Sequence, residues 1–481
     1  MAMGSDIVSN SPRSKLQGYE FYREVLGSPK YIVAPMVDQS ELAFRRLCRR
    51  YGGQLVYTPM INAKMFADDS KKYRNQYFDI PSGEEGDPKT DRPLIVQFCA
   101  NDPDLLLTSA KVVEKHCDAV DINLGCPQDI ARRGKYGAFL QDDWDLIYSL
   151  INTLHKNLTV PVTAKFRVFP SIEKTVEYAK MLERAGAQIL TCHGRLREQR
   201  GHNTGLASFA HIRAVKENVS VPVFANGNIL FQEDIEECLR QTGCDGVMSA
   251  EGVLYNPALF VGLSSPSPSE PSTSTAQDTD VSLLQRHPHL TSLAKEYLTI
   301  VTTLRTATSA SAVKGHLFKI LHPALTRHTD LRARLGSVQV NGYAKAKEKR
   351  EEGTPYWATG LEPYIEIVRE LEERLVEDEK RERGESLAGD ESAAEETPDT
   401  EGKAKTLTEL VGVQEATGFK LLPWWLAQPY WRPSPKELPG KGSDTVAAKK
   451  RPRSAGAEGA QPTTGELVPE KKLRVDLESS A

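Results

Sequence analysis

Two observations predict an α/β chain: a TIM (β/α)8 barrel followed by a smaller all-helical domain and a largely disordered C-terminal tail. The first is a rhythm of short, near-continuously apolar runs alternating with amphipathic helical patterns as far as Gly252. The second is a compositional break near residue 263, past which Ser, Pro, Thr and charged residues take over. At 481 residues the chain is too long for one ordinary domain.

In order, the β-rich runs are YIVAPMV (31–37), QLVYTPMI (54–61), PLIVQFCA (93–100), AVDINLGCP (119–127), PVTAKFRVF (161–169), QILTCHGR (188–195), PVFANGNI (222–229) and GVMSAEG (246–252). Between most of them lie helical patterns such as SELAFRRLCRRYG, DLLLTSAKVVEKHC, DWDLIYSLINTLHKN, IEKTVEYAKMLERAG and EDIEECLRQTG. Strands with little polar alternation, joined by helices, belong to a parallel sheet covered on both faces. Eight such units have the count and size of a TIM barrel. An open doubly wound sheet would want Gly-x-Gly-x-x-Gly after the first strand, and APMVDQS is not that.

Barrel chemistry sits at the C-terminal ends of the strands. Those ends read Pro35-Met36, Pro59-Met60, Gln97, Asn123 and Cys126, Lys165 and Arg167, His193 and Arg195, Asn226-Gly227-Asn228, and Ala250-Glu251. Polar and special residues collect at one rim, which marks an active site by position.

The seven cysteines are scattered and contain no Cys-x-x-Cys pair, so a reducing compartment is expected, with no disulfide framework and no structural metal. The N-terminus MAMGSDIVSNSPRSKLQ lacks an apolar signal region, and no run is long enough to span a membrane. A soluble protein of the cytoplasm or nucleus is expected.

Organisation beyond the barrel follows composition. An N-terminal extension is expected over 1–28, the barrel over 29–262, and a Ser/Pro/Thr linker over 263–283. A basic helical domain over 284–355 comes next: between 284 and 350, twelve Lys and Arg stand against three Asp and Glu. Such a surface suits a polyanion, and an ordinary solvated helical face is the other reading. From 362 to 401 sixteen acids face five bases, so the tail over 356–481 reads as acidic and then basic low-complexity sequence. Two features stand out in it. FKLLPWWLAQPYWRP (419–433) carries three Trp and a Tyr, so it is expected to dock on something, including an unknown protein partner. KKRPR (449–453) and KKLR (471–474) resemble a bipartite nuclear import signal.

At the rim, Lys165 and His193 end successive strands and can reach one ligand. A lysine offers a point charge to a ring that becomes anionic. The glycine of Asn226-Gly227-Asn228 lets backbone approach a phosphate near a helix N-terminus, where barrel phosphate sites commonly lie. Singly, a strand-end lysine is ordinarily a surface charge and NGN a turn; the joint placement describes FMN.

APMV, VQFCA, DINLGCP with its downstream RxGxYGAFLQ, TAKFRV, TCHGR, ANGNI and VMSAEGVLYNPALF together resemble the tRNA-dihydrouridine synthase family, in register from about residue 29 to 262. The SAEG ending further resembles the eukaryotic branch associated with positions 16 and 17 of the tRNA D-loop. The resemblance implies that Pro35, Met36, Val37, Gln97, Lys165, His193, Asn226, Gly227, Asn228, Ala250 and Glu251 line FMN, with NADPH as reductant. It also implies that Cys126 is the catalytic acid and that the basic helical segment binds tRNA. One departure is Ala250-Glu251, where many members carry Gly-Arg: a carboxylate cannot hold the flavin phosphate, which leaves backbone N–H groups and Arg195.

Saturating the C5–C6 bond of uracil needs a hydride at C6 and a proton at C5. A cysteine near its usual pKa of about 8.5 is protonated at neutral pH yet gives up its proton readily. The following loop, Ile130 to Ala138, brings Arg132, Arg133 and Lys135, which suit RNA phosphates. Competing readings are another FMN barrel, such as a dihydroorotate dehydrogenase or an ene-reductase, and a non-catalytic RNA-binding or nuclear adaptor protein on the same scaffold.

Overall fold

Apolar residues occupy both faces of the central strands, and in the computed structural model every residue of Leu94–Cys99 and Ala119–Leu124 is buried. The structure describes residues 15–68, 71–201, 204–263, 276–339, 360–385, 404–414 and 419–430. The eight strands are β1 (Tyr31–Val33), β2 (Leu55–Tyr57), β3 (Leu94–Cys99), β4 (Ala119–Leu124), β5 (Val162–Arg167), β6 (Ala187–His193), β7 (Val223–Asn226) and β8 (Gly246–Ser249). Each pairs in parallel with its neighbours, and Tyr31 opposite Val247 closes the ring. This is the barrel that the alternating runs predict.

The principal covering helices are α1 (Leu42–Arg50), α2 (Pro103–Val113), α3 (Trp144–Asn157), α4 (Ile172–Ala185), α5 (Phe209–Asn218) and α6 (Gln232–Thr242). Asp102, Asp143, Ser171 and Ser208 start four of them by accepting first-turn N–H groups. Gly186 stops α4 at φ 115°, a conformation that side-chain-bearing residues rarely adopt.

Ile32, Leu55, Ile95, Phe224 and Met248 fill the lower half of the barrel. Phe21, Tyr22 and Leu26 join the same cluster from below, and Tyr22 Oη donates to the carbonyls of Pro29 and Asp245. The described part of the expected N-terminal extension therefore plugs the barrel floor.

Past the barrel come α7 (Ala276–Arg286), α8 (Leu290–Thr303), α9 (Ala310–Ile320), α10 (His322–Arg327), α11 (Thr329–Ser337) and α12 (Glu362–Arg383). Helix α7 takes up the later part of the expected linker, and residues 264–275 lie outside the described residues. The helical module shares one continuous core with the barrel. Glu41, ahead of α1, accepts from Tyr297 Oη at 2.8 Å and His316 Nε2 at 3.0 Å, and the His316 ring stacks on Phe44.

Helix α12 corrects the reading of the acidic stretch as low-complexity tail. Tyr364, Ile367, Val368, Leu371 and Leu375 fall on one helical face and are buried. Its acids neutralise part of the basic block: Glu372 pairs with Lys295 at 2.9 Å, and Glu370 with Arg334. The net positive charge counted along 284–350 is thus not one free surface; residues 340–355, with four of its bases, lie outside the described residues.

The Trp-rich stretch docks on this same chain over its described residues. Trp425 and Leu426 are buried, and Trp425 O and Ala427 N bond to Leu290 N and Pro288 O. The Arg327 guanidinium lies 4.5 Å above the Trp424 ring, and Tyr430 packs on His322 and Tyr255. The remainder of that stretch and both basic clusters, 449–453 and 471–474, lie outside the described residues. Trp425→Ala should lower unfolding free energy by roughly 3–5 kcal/mol, read from urea denaturation; an unchanged midpoint would show that the strap adds nothing to the fold.

Candidate active site in the barrel mouth

The upper half of the barrel is polar where the lower half is apolar. Gln97, Asp121 and Thr163 sit opposite one another in register on β3, β4 and β5, and all three are buried. Gln97 Nε2 donates to Asp121 Oδ2 at 2.8 Å, and Thr163 Oγ1 donates to Oδ1 at 2.6 Å. Burial pushes the Asp121 carboxyl up to about 6. Sequence reasoning passed over Asp121 and Thr163; the signal was an acid in the middle of an apolar strand, AVDINL.

Asn123 links this layer to the strand tip. Its Nδ2 donates to Gln97 Oε1 at 2.8 Å, while its Oδ1 accepts from Gly125 N at 3.1 Å and Cys126 N at 2.9 Å. The other side of Cys126 is held by Ala138 N, which donates to Cys126 O at 3.0 Å. Gly137 sits at φ +65°, and a Cβ there would lie 2.8 Å from Cys126 O, so glycine lets this loop close on the cysteine. Burial raises the Cys126 thiol, while the Gln128 backbone N–H, Arg167 and Lys165 pull it back only in part. The thiol is therefore protonated at neutral pH.

Lys165, opposite Asn123 on β5, donates to Asn226 Oδ1 at 2.9 Å, and Asn226 Nδ2 donates to Met248 O. Burial, reinforced by Arg167, lowers the Lys165 ammonium to about 8. Arg167 binds three backbone carbonyls, Gly125, Leu196 and Gln199, and burial lowers it to about 10. Arg195 donates to Gly205 O, to Asn228 Oδ1 and to His193 Nε2. An arginine can only donate, so His193 Nε2 accepts and its proton is on Nδ1. Burial and the three cations hold His193 well below its usual range, hence neutral.

Of the residues expected to line a flavin, Lys165 is bonded to Asn226, His193 and Asn228 share Arg195, and Gln97 belongs to the separate Asp121–Asn123 chain. Gly227 sits at φ +116°, where a Cβ would come within 2.6 Å of Ala207 and 3.3 Å of the His193 ring. Met36 and Ala250 pack on the interior cluster beneath. Pro35 stands beside them half-buried, and Val37 is exposed at the rim. Glu251 opens the short helix Glu251–Tyr255, and its charge offsets only part of the loss that burial imposes on Arg195. No cluster of metal-ligating side chains occurs among the described residues.

The sequence pattern of the family described as "Dihydrouridine synthase (Dus)" matches residues 32–339. The tRNA-dihydrouridine(16/17) synthase [NAD(P)(+)] of Schizosaccharomyces pombe is 43% identical over 424 residues, covering 87% of this chain and 92% of its own. The protein of that name from Saccharomyces cerevisiae is 43% identical over 430 residues, 88% of each chain. A human tRNA-dihydrouridine(20a/20b) synthase-like protein is 40% identical over 234 residues, 48% of this chain and 70% of its own.

The other six cysteines are buried. A thiol-alkylating reagent should therefore modify Cys126 first in the native protein, as read by peptide mass mapping. Because burial raises this thiol, its alkylation rate should climb through a midpoint above the ordinary value of about 8.5. Fast labelling at any other cysteine, or a depressed midpoint, would contradict the geometry.

Proposed function

The chain belongs to the dihydrouridine synthase family, and from that membership and the mouth geometry we propose that it reduces uridines of tRNA to 5,6-dihydrouridine. The proposed targets are positions 16 and 17 of the D-loop. Relatives named for those positions match over 424 and 430 residues, far beyond the barrel, whereas the relative named for 20a/20b matches over 234. The observation that carries the reading is a protonated thiol, Cys126, pinned at a strand tip in the mouth that holds Lys165.

The donor set fits FMN. Lys165, Arg167 and Arg195 crowd the mouth with positive charge, which suits a phosphate and a ring that becomes anionic. Neutral His193 offers an Nδ1 donor, and side-chain-free Gly227 lets Ala207 and the His193 ring pack against the turn. The eleven residues from Pro35 to Glu251 named above are proposed to line it, with the phosphate nearest Asn228 and Arg195. When bound, FMN supplies the hydride for C6 of uracil and is itself reduced by NADPH.

Cys126 delivers its proton to C5. The raised pKa keeps the thiol loaded, and Asn123 and Ala138 hold its backbone from both sides, fixing where the proton stands. A uridine in folded tRNA must leave its stack to reach this point. The exposed Arg132, Arg133 and Lys135 flank the entrance and are proposed to hold RNA phosphates, together with the basic helical segment that follows the barrel. The non-catalytic alternative has no use for a thiol and an ammonium held in this way.

Cys126→Ala should keep its flavin and its NADPH oxidation while dihydrouridine formation falls by about 10²–10⁴; wild-type turnover on tRNA would remove Cys126 from the mechanism. Lys165→Ala should act in the other order, loosening flavin and slowing its reduction by NADPH, and full flavin content with unchanged reduction would make Lys165 a bystander. Replacing Arg132, Arg133 and Lys135 by Ala should weaken tRNA binding and flatten its salt dependence by about one logarithmic unit per lost contact. Titrations at several salt concentrations measure this, and parallel lines would place the RNA elsewhere.

A further inference from the structure

The hydrogen bonds beneath Cys126 form a chain whose direction is set at both ends. Backbone N–H groups of Gly125 and Cys126 can only donate, so Asn123 must turn Oδ1 toward them. Its amide nitrogen then faces inward and takes Gln97 Oε1 as acceptor. That leaves Gln97 Nε2 pointing deeper into the buried interior, where it needs an acceptor of its own. Asp121 Oδ2 is that acceptor, and Thr163 donates to the second oxygen. Burial raises the carboxyl only to about 6, so it is ionised at neutral pH.

A carboxylate is a costly choice here. An asparagine at 121 could present an oxygen to Gln97 equally well, while burying an ion costs several kcal/mol. Among the described residues the hydrogen-bond partners of the fully buried Asp121 carboxylate are the uncharged Gln97 and Thr163. The groups that face it are Thr163 and Gln97 through hydrogen bonds, Tyr57 from β2, and the Lys165 ammonium. Asp121 stands opposite Thr163, two residues before Lys165 on the neighbouring strand and so on the same face; burial and Arg167 both work against the charge on Lys165, and Asp121 leads the groups that work for it. The charge at 121 thus has a beneficiary that the hydrogen-bond chain does not explain.

We propose that Asp121 is a positioning residue with two separable effects: its oxygen sets the direction of the Gln97–Asn123 chain that pins Cys126, and its charge keeps Lys165 protonated from inside the barrel. The proposal deepens the flavoenzyme reading and rests on it for the Lys165 half alone.

Two variants of the full-length protein separate the effects. Asp121→Asn keeps an acceptor and removes the charge; Gln97→Met leaves the carboxyl in place and cuts the chain. The first readout is NADPH-driven flavin reduction against pH, whose alkaline limb follows deprotonation of Lys165. Removing a neighbouring negative charge lowers an ammonium pKa, so Asp121→Asn should move that limb down by about one pH unit. Gln97→Met, at a residue proposed to line the flavin, is read by the second measurement alone. The second readout, independent of flavin, is the alkylation rate of Cys126 at neutral pH: Gln97→Met should change it about threefold or more as the pin loosens, and Asp121→Asn should not. A superimposable alkaline limb in Asp121→Asn overturns the charge effect, and a wild-type alkylation rate in Gln97→Met overturns the chain. If the wild-type protein neither retains flavin nor oxidises NADPH, the flavoenzyme reading fails, while the alkylation result still decides the chain.

Discussion

Everything at the barrel mouth depends on hydrogen bonds that have one permissible direction. A backbone N–H donates and a carboxylate accepts, and between these fixed ends Asn123 and Gln97 have no freedom to flip. A second short chain runs from Lys165 through Asn226 to the Met248 carbonyl, with the same logic of a donor-only start and an acceptor-only end. Amide side chains are otherwise ambiguous parts. Anchoring each to a group with a single role turns them into rigid spacers, in an interior where an unsatisfied polar atom is expensive.

Charge in the mouth follows a consistent plan. Three cations and a neutral histidine share the upper layer, and they are satisfied mostly by carbonyl and amide oxygens. Carbonyls orient a cation without cancelling it, so the mouth retains a positive field for an anionic ligand. The helical module does the reverse. There Lys295, Arg334 and Arg374 meet carboxylates, and the charge is spent on holding helices together.

The barrel was legible because strands covered on both faces are written as plain apolar runs, and the polar residues at their ends stand out against that background. Cys126, Lys165, His193 and the Asn226–Asn228 turn were visible for that reason. Asp121 and Thr163 were not, since one polar residue inside a strand looks like noise until its partners on neighbouring strands are known. Helix α12 was hidden by counting: sixteen acids drew attention away from five apolar positions at helical spacing. The Trp-rich stretch announced that it docks but not where, because its partners around Pro288 and Leu290 lie more than a hundred residues earlier and carry no matching motif.

Ring closure has a consequence for how the molecule comes into being. Tyr31 pairs with Val247, and the floor plug leans on Phe224 and Asp245, so the first strand and the segment before it wait for the last strand to be made. The strap around Trp425 is later still and locks onto helices already in place. Contacts this distant in sequence slow folding, because the entropy of closing the loop is lost before the contact is gained. On the ribosome the N-terminal half is therefore a set of strands with open edges, and it is during that interval that the chain most needs protection from pairing with its neighbours.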